Sequence, residues 1–335
     1  MIRFSEIIHD GKSLKGKGTK EGIDLRKTGI WNKGKVAGKN TMDDAEVYYR
    51  SLLTLAGKVQ SWVKNDEIID ISQVVSVFKA IIDNELIDSL YYYVVFEGDH
   101  RKEELSQSID VTIFSLKVGL GMGYDSERLL ALGMIAFLHD VGMYKIPQNI
   151  LEKTGKLSEE EFKLIQKHPE IGAEILHKMD KEYDWLGDLA LQVHERADGS
   201  GYPKGLKEKD IHYYAFIIGL VDMYSAMIKD RPYRDRIEKN RAMRSIIASS
   251  KGKFPPQIVK TFLNQISFFP VRSYVKLNDH SVGRVITTNP SFPLKPTVEI
   301  INDNLGNKLD EPRIIDLTEQ PLLYITGSID EKNII

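Results

Sequence analysis

Histidine and carboxylate side chains recur along the middle of this chain at positions that suit metal binding. The pair His139-Asp140 directly follows one apolar run, and Asp222 interrupts another. An acid within an apolar run is costly to bury unless a partner or a metal compensates its charge. His168 and His194 supply two further imidazoles. A lone His-Asp pair more often caps a helix, but three imidazoles and two carboxylates on separate helical segments suit a metal site in a helix bundle.

These residue types restrict the metals and the chemistry that such a site supports. Mixed histidine and carboxylate ligands favour iron, manganese or zinc over calcium. The chain contains no Cys, which excludes thiolate zinc sites, iron–sulfur clusters, disulfides and cysteine nucleophiles. If Asp140 bridges two ions, a hydroxide held between them is a strong nucleophile at neutral pH, and the ions also stabilise charge on a phosphoryl oxygen. The residues are therefore suited to hydrolysis of a phosphate ester.

The segments that must position these side chains are predicted to be mainly helical. From Asp43 to Phe96, apolar residues recur at steps of three and four, which predicts a small helical N-terminal unit. Leu129–Leu138 is apolar on nearly all sides and predicts a central helix. Gly121 and Gly123 mark the end of the helix before it.

Capping signals and a change of period predict the remaining organisation. Ser158 followed by Glu161 is typical of a capping box at a helix start. After Pro270, apolar and polar residues alternate, which predicts a small β unit. The predicted units are a Gly/Lys-rich lead-in (1–40), a helical N-terminal unit (41–96), a catalytic helical domain (97–250), a linker with a short helix (251–269) and a small β domain (270–335).

The bulk composition argues against several classes of protein. The formal net charge is −2, which gives no indication of a nucleic-acid polymer or a membrane surface as partner. The N-terminus lacks the basic and then apolar layout of a signal peptide. The longest apolar runs fall short of the ~20 residues that span a bilayer. We therefore expect a cytoplasmic protein without membrane insertion.

The loop after His194 carries the most specific motif. It runs Asp198-Gly199-Ser200-Gly201-Tyr202-Pro203, and Gly-rich sequences of this kind are in general turn chemistry. Preceded by His194-Glu195-Arg196, however, the loop resembles the signature of the HD-GYP family, and the resemblance spans about residues 97–240. It implies an HD-type helical bundle with two or three divalent metal ions, commonly iron or manganese. It also implies hydrolysis of cyclic di-GMP to pGpG and onward to GMP.

The resemblance assigns a role to each matching residue. His139 and Asp140 would form the catalytic HD pair, with Asp140 bridging the ions. The implied metal ligands are Glu103, Gln107, His139, Asp140, His168, His194 and Asp222. The implied substrate-binding residues are Gly201, Tyr202, Pro203, Arg231 and Arg234. The alternative for the two arginines is a charge pair at a helix C-terminus.

Three positions depart from the family pattern. Gln107 and Val193 stand where the family has metal-binding histidines, and Met143 stands where a lysine is frequent. Glu103 lies one helical turn before Gln107, so it is either an extra carboxylate ligand or a surface acid. The expected sites are one formed by Gln107, His139, Asp140 and Asp222, and another formed by Asp140, His168 and His194 that is short of one ligand.

Two functions are favoured by this altered ligand set, ahead of a related phosphohydrolase that acts on another nucleotide. The first is an active metal-dependent cyclic di-GMP phosphodiesterase, favoured by the intact HD pair and the intact signature loop. The second is a module that binds cyclic di-GMP, or a signalling partner such as a diguanylate cyclase, without turnover. Metal content discriminates between them, because a pure binding module has no need for two bound ions.

Overall fold

The computed structural model describes residues 42–96, 105–229, 239–267, 269, 271–289, 292 and 294–329. The lead-in, Glu103, Arg231 and Arg234 lie outside the described residues. The helices are α1 (Met42–Lys64), α2 (Ile71–Asp83), α3 (Ile87–Phe96), α4 (Ser106–Gly121), α5 (Ser126–Leu138), α6 (Gln148–Leu151), α7 (Glu159–Ile165), α8 (His168–Leu176), α9 (Asp184–Ala190), α10 (Tyr213–Ile228), α11 (Lys239–Ser250) and α12 (Pro256–Gln265). The strands are β1 (Tyr274–Leu277), β2 (Val282–Thr287), β3 (Thr297–Asn302), β4 (Lys308–Asp316) and β5 (Ile325–Ile329).

The predicted central helix is α5, and it is buried along nearly its whole length. It packs on α4, which also contacts α10, so that three apolar helices form the middle of the bundle. Helices apolar on all sides belong in a core, where no face meets water. The mainly helical fold expected from the sequence is confirmed.

Local sequence signals explain where these helices begin and end. Gly123 adopts a φ of +75°, a left-handed conformation that a side chain disfavours, and it follows the end of α4. The capping box before α7 is present, because Ser158 accepts from the Glu161 amide and Glu161 accepts from the Ser158 amide. Both predicted helix boundaries are confirmed.

The N-terminal helices share the core of the bundle. Phe78 of α2 meets Phe137 of α5 edge-on, with ring centroids 5.5 Å apart. Tyr91 of α3 meets Phe114 of α4 in the same way at 5.8 Å. Edge-to-face aromatic pairs add to the apolar burial at such contacts. Helices α1–α3 therefore support the bundle directly, and the boundary near residue 96 stays a prediction.

The C-terminal segment forms one five-stranded antiparallel sheet in the order β4-β3-β2-β1-β5. Alternate residues on the inner strands are buried, namely Val275, Leu277, Val285, Val298 and Ile300. This alternation is the pattern that predicted a β unit, because successive strand residues point to opposite faces. Among the described residues, no helix combines the length and the apolar character that crossing a membrane requires.

Candidate metal centre

The predicted ligands come from different helix ends. His139 caps the C-terminus of α5, and Asp140 begins the 3₁₀ turn Val141–Lys145. His168 is the first residue of α8. The loop after α9 carries His194, and Asp222 lies within α10. The packing of four separate segments must therefore bring these side chains together.

Three imidazoles converge on one carboxylate oxygen. The Nε2 atoms of His139, His168 and His194 lie 3.3, 3.2 and 3.3 Å from Asp140 Oδ1. The Nε2 atoms of His168 and His194 are only 2.9 Å apart. Imidazole nitrogens directed at a common point beside a carboxylate are the donor set that iron, manganese or zinc prefers.

Backbone carbonyls fix the orientation of two of these rings. His139 Nδ1 lies 2.7 Å from the carbonyl oxygen of Ala136, and His168 Nδ1 lies 2.8 Å from that of Ile165. When Nδ1 donates to a carbonyl, Nε2 carries the lone pair that a metal needs. Both rings are thus held with Nε2 directed at Asp140.

The ligand atoms form two groups that share Asp140. One comprises Asp140, His168 and His194, and the other comprises His139, Asp140 and Asp222, with atoms within 4.8 Å of one another in each group. We call these the first and the second half of the centre. They bring together the histidines and carboxylates of the two sites expected from the sequence, without Gln107, and metal binding at either group stays a prediction.

Gln107 lies beside the second half of the centre. Its Nε2 donates to Asp222 Oδ1 at 3.2 Å, which links α4 to α10. In this arrangement the amide of Gln107 orients the Asp222 carboxylate. Ligation of a metal by its amide oxygen stays a prediction.

The buried polar atoms fit a bound cation. His139 Nε2 is fully buried and has no hydrogen-bond partner among the described residues, since its position beside Asp140 lacks hydrogen-bond geometry. A buried nitrogen without a partner is costly, and a metal ion would satisfy it. Burial opposes a charge on His139, but the charge of Asp140 outweighs it and raises the pKa of His139 to about 9. Without a cation this nitrogen therefore takes up a proton, which a metal ion would displace on binding.

The neighbouring groups show the same electrostatic coupling. Burial disfavours the ionised form of Asp140, but the charges of His139 and His168 hold its pKa well below the usual range. For His194, burial dominates and lowers the pKa. Asp140 is therefore ionised, and His194 is predominantly neutral, as metal ligands must be.

Gly142 allows the HD turn to meet α8 closely. A Cβ at Gly142 would lie 2.0 Å from the carbonyl oxygen of His168 and 2.6 Å from the amide nitrogen of Gly172. No side chain fits at that distance, since both contacts are with backbone. The glycine thus fixes the distance between Asp140 and His168.

The signature loop is held beside the first half by a buried carboxylate. Glu195 accepts from the backbone amides of Lys204 at 2.6 Å and Leu206 at 2.9 Å. The loop then places the Tyr202 ring on the ring of His194, stacked with centroids 5.0 Å apart. Burial, followed by the charges of Asp140 and Asp222, raises the pKa of Tyr202, so its hydroxyl remains protonated.

A second glycine makes the loop's approach possible. A Cβ at Gly201 would lie 2.4 Å from Glu195 Cα and 2.5 Å from the Arg196 nitrogen. Arg196 donates to the carbonyls of Val193 and Glu195 and covers the ring of Phe254 at 4.9 Å. The structural roles of Glu195 and Arg196 were missed by the sequence analysis, although a charged pair next to a candidate ligand was a visible signal.

The predicted site residues are only partly described. His139, Asp140, His168, His194 and Asp222 come together, and Gln107 and the Gly201-Tyr202-Pro203 loop lie beside them. Val193 is 0% exposed and lies in the apolar core. Glu103, Arg231 and Arg234 lie outside the described residues, so their roles stay predictions.

Known proteins resemble this chain in sequence over the helical region. The HD domain family matches residues 97–258, and the KOW domain associated with HD domain matches residues 274–335. Cyclic di-GMP phosphodiesterase PdeB of Borreliella burgdorferi is 32% identical over 214 residues, which are 64% of this chain and 54% of that protein. A cyclic di-GMP phosphodiesterase of Thermotoga maritima is 38% identical over 173 residues, which are 50% of this chain and 47% of that protein. The chain spans about half the length of the curated relatives it matches.

A solved structure shares the fold. The HDG"Y"P protein from Bdellovibrio bacteriovorus superposes with a TM-score of 0.54 at 20% identity, over 68% of this chain and 73% of that protein. The HD domain match and this shared fold agree with the mainly helical HD-type architecture. Residues 97–258 therefore form an HD domain, and its HD pair and signature loop resemble those of the HD-GYP family.

Proposed function

We propose that this protein is a metal-dependent phosphodiesterase that hydrolyses cyclic di-GMP to pGpG and/or GMP. The observation that carries the proposal is the convergence of three imidazole Nε2 atoms on Asp140 Oδ1, at 3.2 to 3.3 Å. The two relatives described above bear the name of this activity.

The two halves of the centre would each hold one divalent ion, iron or manganese. Asp140, His168 and His194 would bind the first, and His139, Asp140 and Asp222 the second, with Asp140 between them. A third ion would require Glu103. When bound, the ions supply a water nucleophile at neutral pH and stabilise charge on the phosphoryl oxygens.

The chain's own residues would bind and orient the substrate. The protonated Tyr202 hydroxyl can donate a hydrogen bond, and its ring holds His194 in place by stacking. Gly201 and Pro203 keep this tyrosine at the rim of the centre. Arg231 and Arg234 would pair with the substrate phosphates, since guanidinium groups bind phosphate through two hydrogen bonds.

A second candidate function is binding of cyclic di-GMP, or of a signalling partner such as a diguanylate cyclase, without turnover. The observation that favours it is the loss of two imidazoles: Val193 is buried in the core, and Gln107 donates to Asp222. A centre with fewer strong ligands binds its ions more weakly, which leaves recognition as the remaining role.

The test is a turnover assay on cyclic di-GMP with Fe²⁺ or Mn²⁺, in which pGpG and GMP are separated and quantified. The wild-type chain is compared with the His139→Ala/Asp140→Ala variant, and cyclic di-GMP binding is measured on both. Turnover by the wild type alone supports the phosphodiesterase. Binding without turnover, at stoichiometric metal, contradicts it and supports the second function.

A further inference from the structure

A buried ion pair joins α4 to the end of α10, outside the ligand set. Lys229 Nζ lies 3.0 Å from Asp110 Oδ2, and their side chains are 8% and 4% exposed. Lys229 is the residue that caps the C-terminus of α10. Neither residue was singled out by the sequence as part of the metal centre.

Two further polar groups belong to this cluster. Lys229 Nζ donates to Ser106 Oγ at 2.6 Å, and Tyr49 of α1 donates to Asp110 Oδ1 at 3.5 Å. Ser106 and Tyr49 are each 1% exposed. The network therefore joins α1, α4 and α10 through groups that water does not reach.

The network lies next to the second half of the centre along both helices. Ser106 and Asp110 flank Gln107 on α4, and Asp110 lies one turn beyond it on the same face. On α10, Lys229 follows Asp222 by seven residues, about two helical turns and about 10 Å. Polar contacts thus link the same two helices at Gln107–Asp222 and, through Lys229, at Asp110 and Ser106.

A gain in stability does not account for this pair. Removing two charges from water costs more than burying two apolar side chains of the same volume. A buried ionic network that satisfies its members instead favours one relative placement of the elements it joins. Here the network favours one position of α4 relative to α10. That position determines the distance from Gln107 to Asp222.

We propose that Lys229 and Asp110 are positioning residues that hold Asp222 and Gln107 in place at the second half of the metal centre. This inference rests on the proposed function, since it assumes that the centre binds two ions. The first half is independent of the pair, because His168 begins α8 and His194 follows α9. Loss of the pair should therefore weaken binding of one ion and spare the other.

The test is a Mn²⁺ titration of the metal-free full chain by calorimetry, with bound metal counted by elemental analysis. The Asp110→Asn/Lys229→Met variant removes both charges at nearly unchanged volume, so that no unpaired charge is left buried. The control is Asp88→Asn/Lys117→Met, which removes the ion pair between α3 and α4 at the protein surface. Thermal unfolding is recorded for every variant.

Wild type and control are expected to bind two ions. The Asp110→Asn/Lys229→Met variant should keep the tighter site unchanged and weaken the other at least tenfold, while Lys229→Arg, which retains the donors, restores it. A variant that binds both ions like wild type, that weakens both equally or that no longer unfolds cooperatively overturns this inference alone. A wild-type chain that takes up no ion overturns the proposed function as well.

Discussion

The two halves of the metal centre are built differently. In the first half, His168 is oriented by a backbone carbonyl, and His194 is stacked under Tyr202 in a loop held by Glu195. In the second half, His139 is likewise oriented by a backbone carbonyl, but Asp222 is held, among the described residues, by a hydrogen bond from the side chain of Gln107. Backbone and loop contacts fix the first half and His139 locally, whereas the position of Asp222 depends on how α4 and α10 pack.

This difference indicates where the altered ligand set matters most. Gln107 stands where the family pattern has a histidine, and it lies beside Asp222 in the second half. The change from imidazole to amide therefore falls in the half with the weaker support. The two halves meet at one atom, Asp140 Oδ1, and this shared oxygen is the point at which a single change affects both.

The largest effect is expected for Asp140→Ala, which removes the oxygen that both halves share. Metal stabilisation of phosphoryl charge is worth several kcal/mol, and each 1.36 kcal/mol is tenfold in rate. Turnover of cyclic di-GMP should therefore fall by at least about a thousandfold, and bound metal should be lost from both halves. Elemental analysis and the turnover assay measure the two effects.

Asp188→Ala is the matched control for this variant, because Asp188 is an exposed carboxylate on α9 outside the centre. It should keep full metal content and turnover. If Asp140→Ala retained one ion per chain, Asp140 would not be a ligand shared by the two halves. That outcome would contradict the description of the centre as two halves joined at this carboxylate.

Gly142→Ala should displace the backbone that positions His168 in the first half and lower the free energy of unfolding. The added methyl would lie 2.0 Å from the His168 carbonyl oxygen, so α8 and the HD turn must separate. Overpacking of this kind costs about 1–3 kcal/mol or more in the free energy of unfolding. Denaturant unfolding measures the loss, and Gly155→Ala is the control because nothing lies within 4 Å of its Cβ. Equal stability of the two variants would contradict the close approach.

Glu195→Gln should loosen the signature loop at nearly unchanged volume. One carboxylate oxygen becomes an NH₂ group, so either Lys204 or Leu206 loses its acceptor. Hydrogen bonds to charged groups contribute about 1.5–3 kcal/mol, and loss of an outer partner of a metal ligand costs about 10- to 100-fold in activity. We expect kcat to fall within that range, with the exposed Glu170→Gln as control. Unchanged kcat would show that the loop keeps Tyr202 on His194 without this carboxylate.

The smallest expected effect is an increase in metal affinity, caused by Gln107→His. An imidazole in place of the amide gives the second half a stronger donor, and we expect about tenfold tighter binding of the weaker ion, equivalent to about 1.4 kcal/mol. Mn²⁺ titration measures it, with Gln148→His on α6 as the exposed control. Tighter binding of both ions equally would show that the halves are not separable.

Much of the fold could be predicted from local patterns. The apolar run Leu129–Leu138 indicated α5, the Ser158–Glu161 spacing indicated the start of α7, and alternation after Pro270 indicated the sheet. These features depend on residues within one or two turns or strands. Sequence periodicity reports such short-range relations directly.

The candidate ligands could be named from the sequence, whereas the residues that support them could not. The resemblance of the HD pair and the signature loop to a family motif indicated His139, Asp140 and His194, and the structure brings these three side chains together. The supporting contacts, such as Asp110–Lys229, join residues more than a hundred positions apart, and no local pattern reports them. The roles of Glu195 and Gly142 likewise follow only from the backbone that packs against them.

The hydrogen bonds that orient His139 and His168 also stabilise the fold, independently of metal binding. Ala136 is in the last turn of α5 and Ile165 ends α7, so each imidazole satisfies a carbonyl that a helix terminus leaves without an intrahelical donor. His139 and His168 are thus useful to the fold even without catalysis, and a descendant that had lost activity would still gain from keeping them. Among the described residues, Asp222 satisfies no helix terminus, and its hydrogen bond is the one from Gln107 that links α4 to α10. Retention or loss of this aspartate, rather than of the histidines, is therefore the better indicator of whether an HD-GYP chain is still catalytically active.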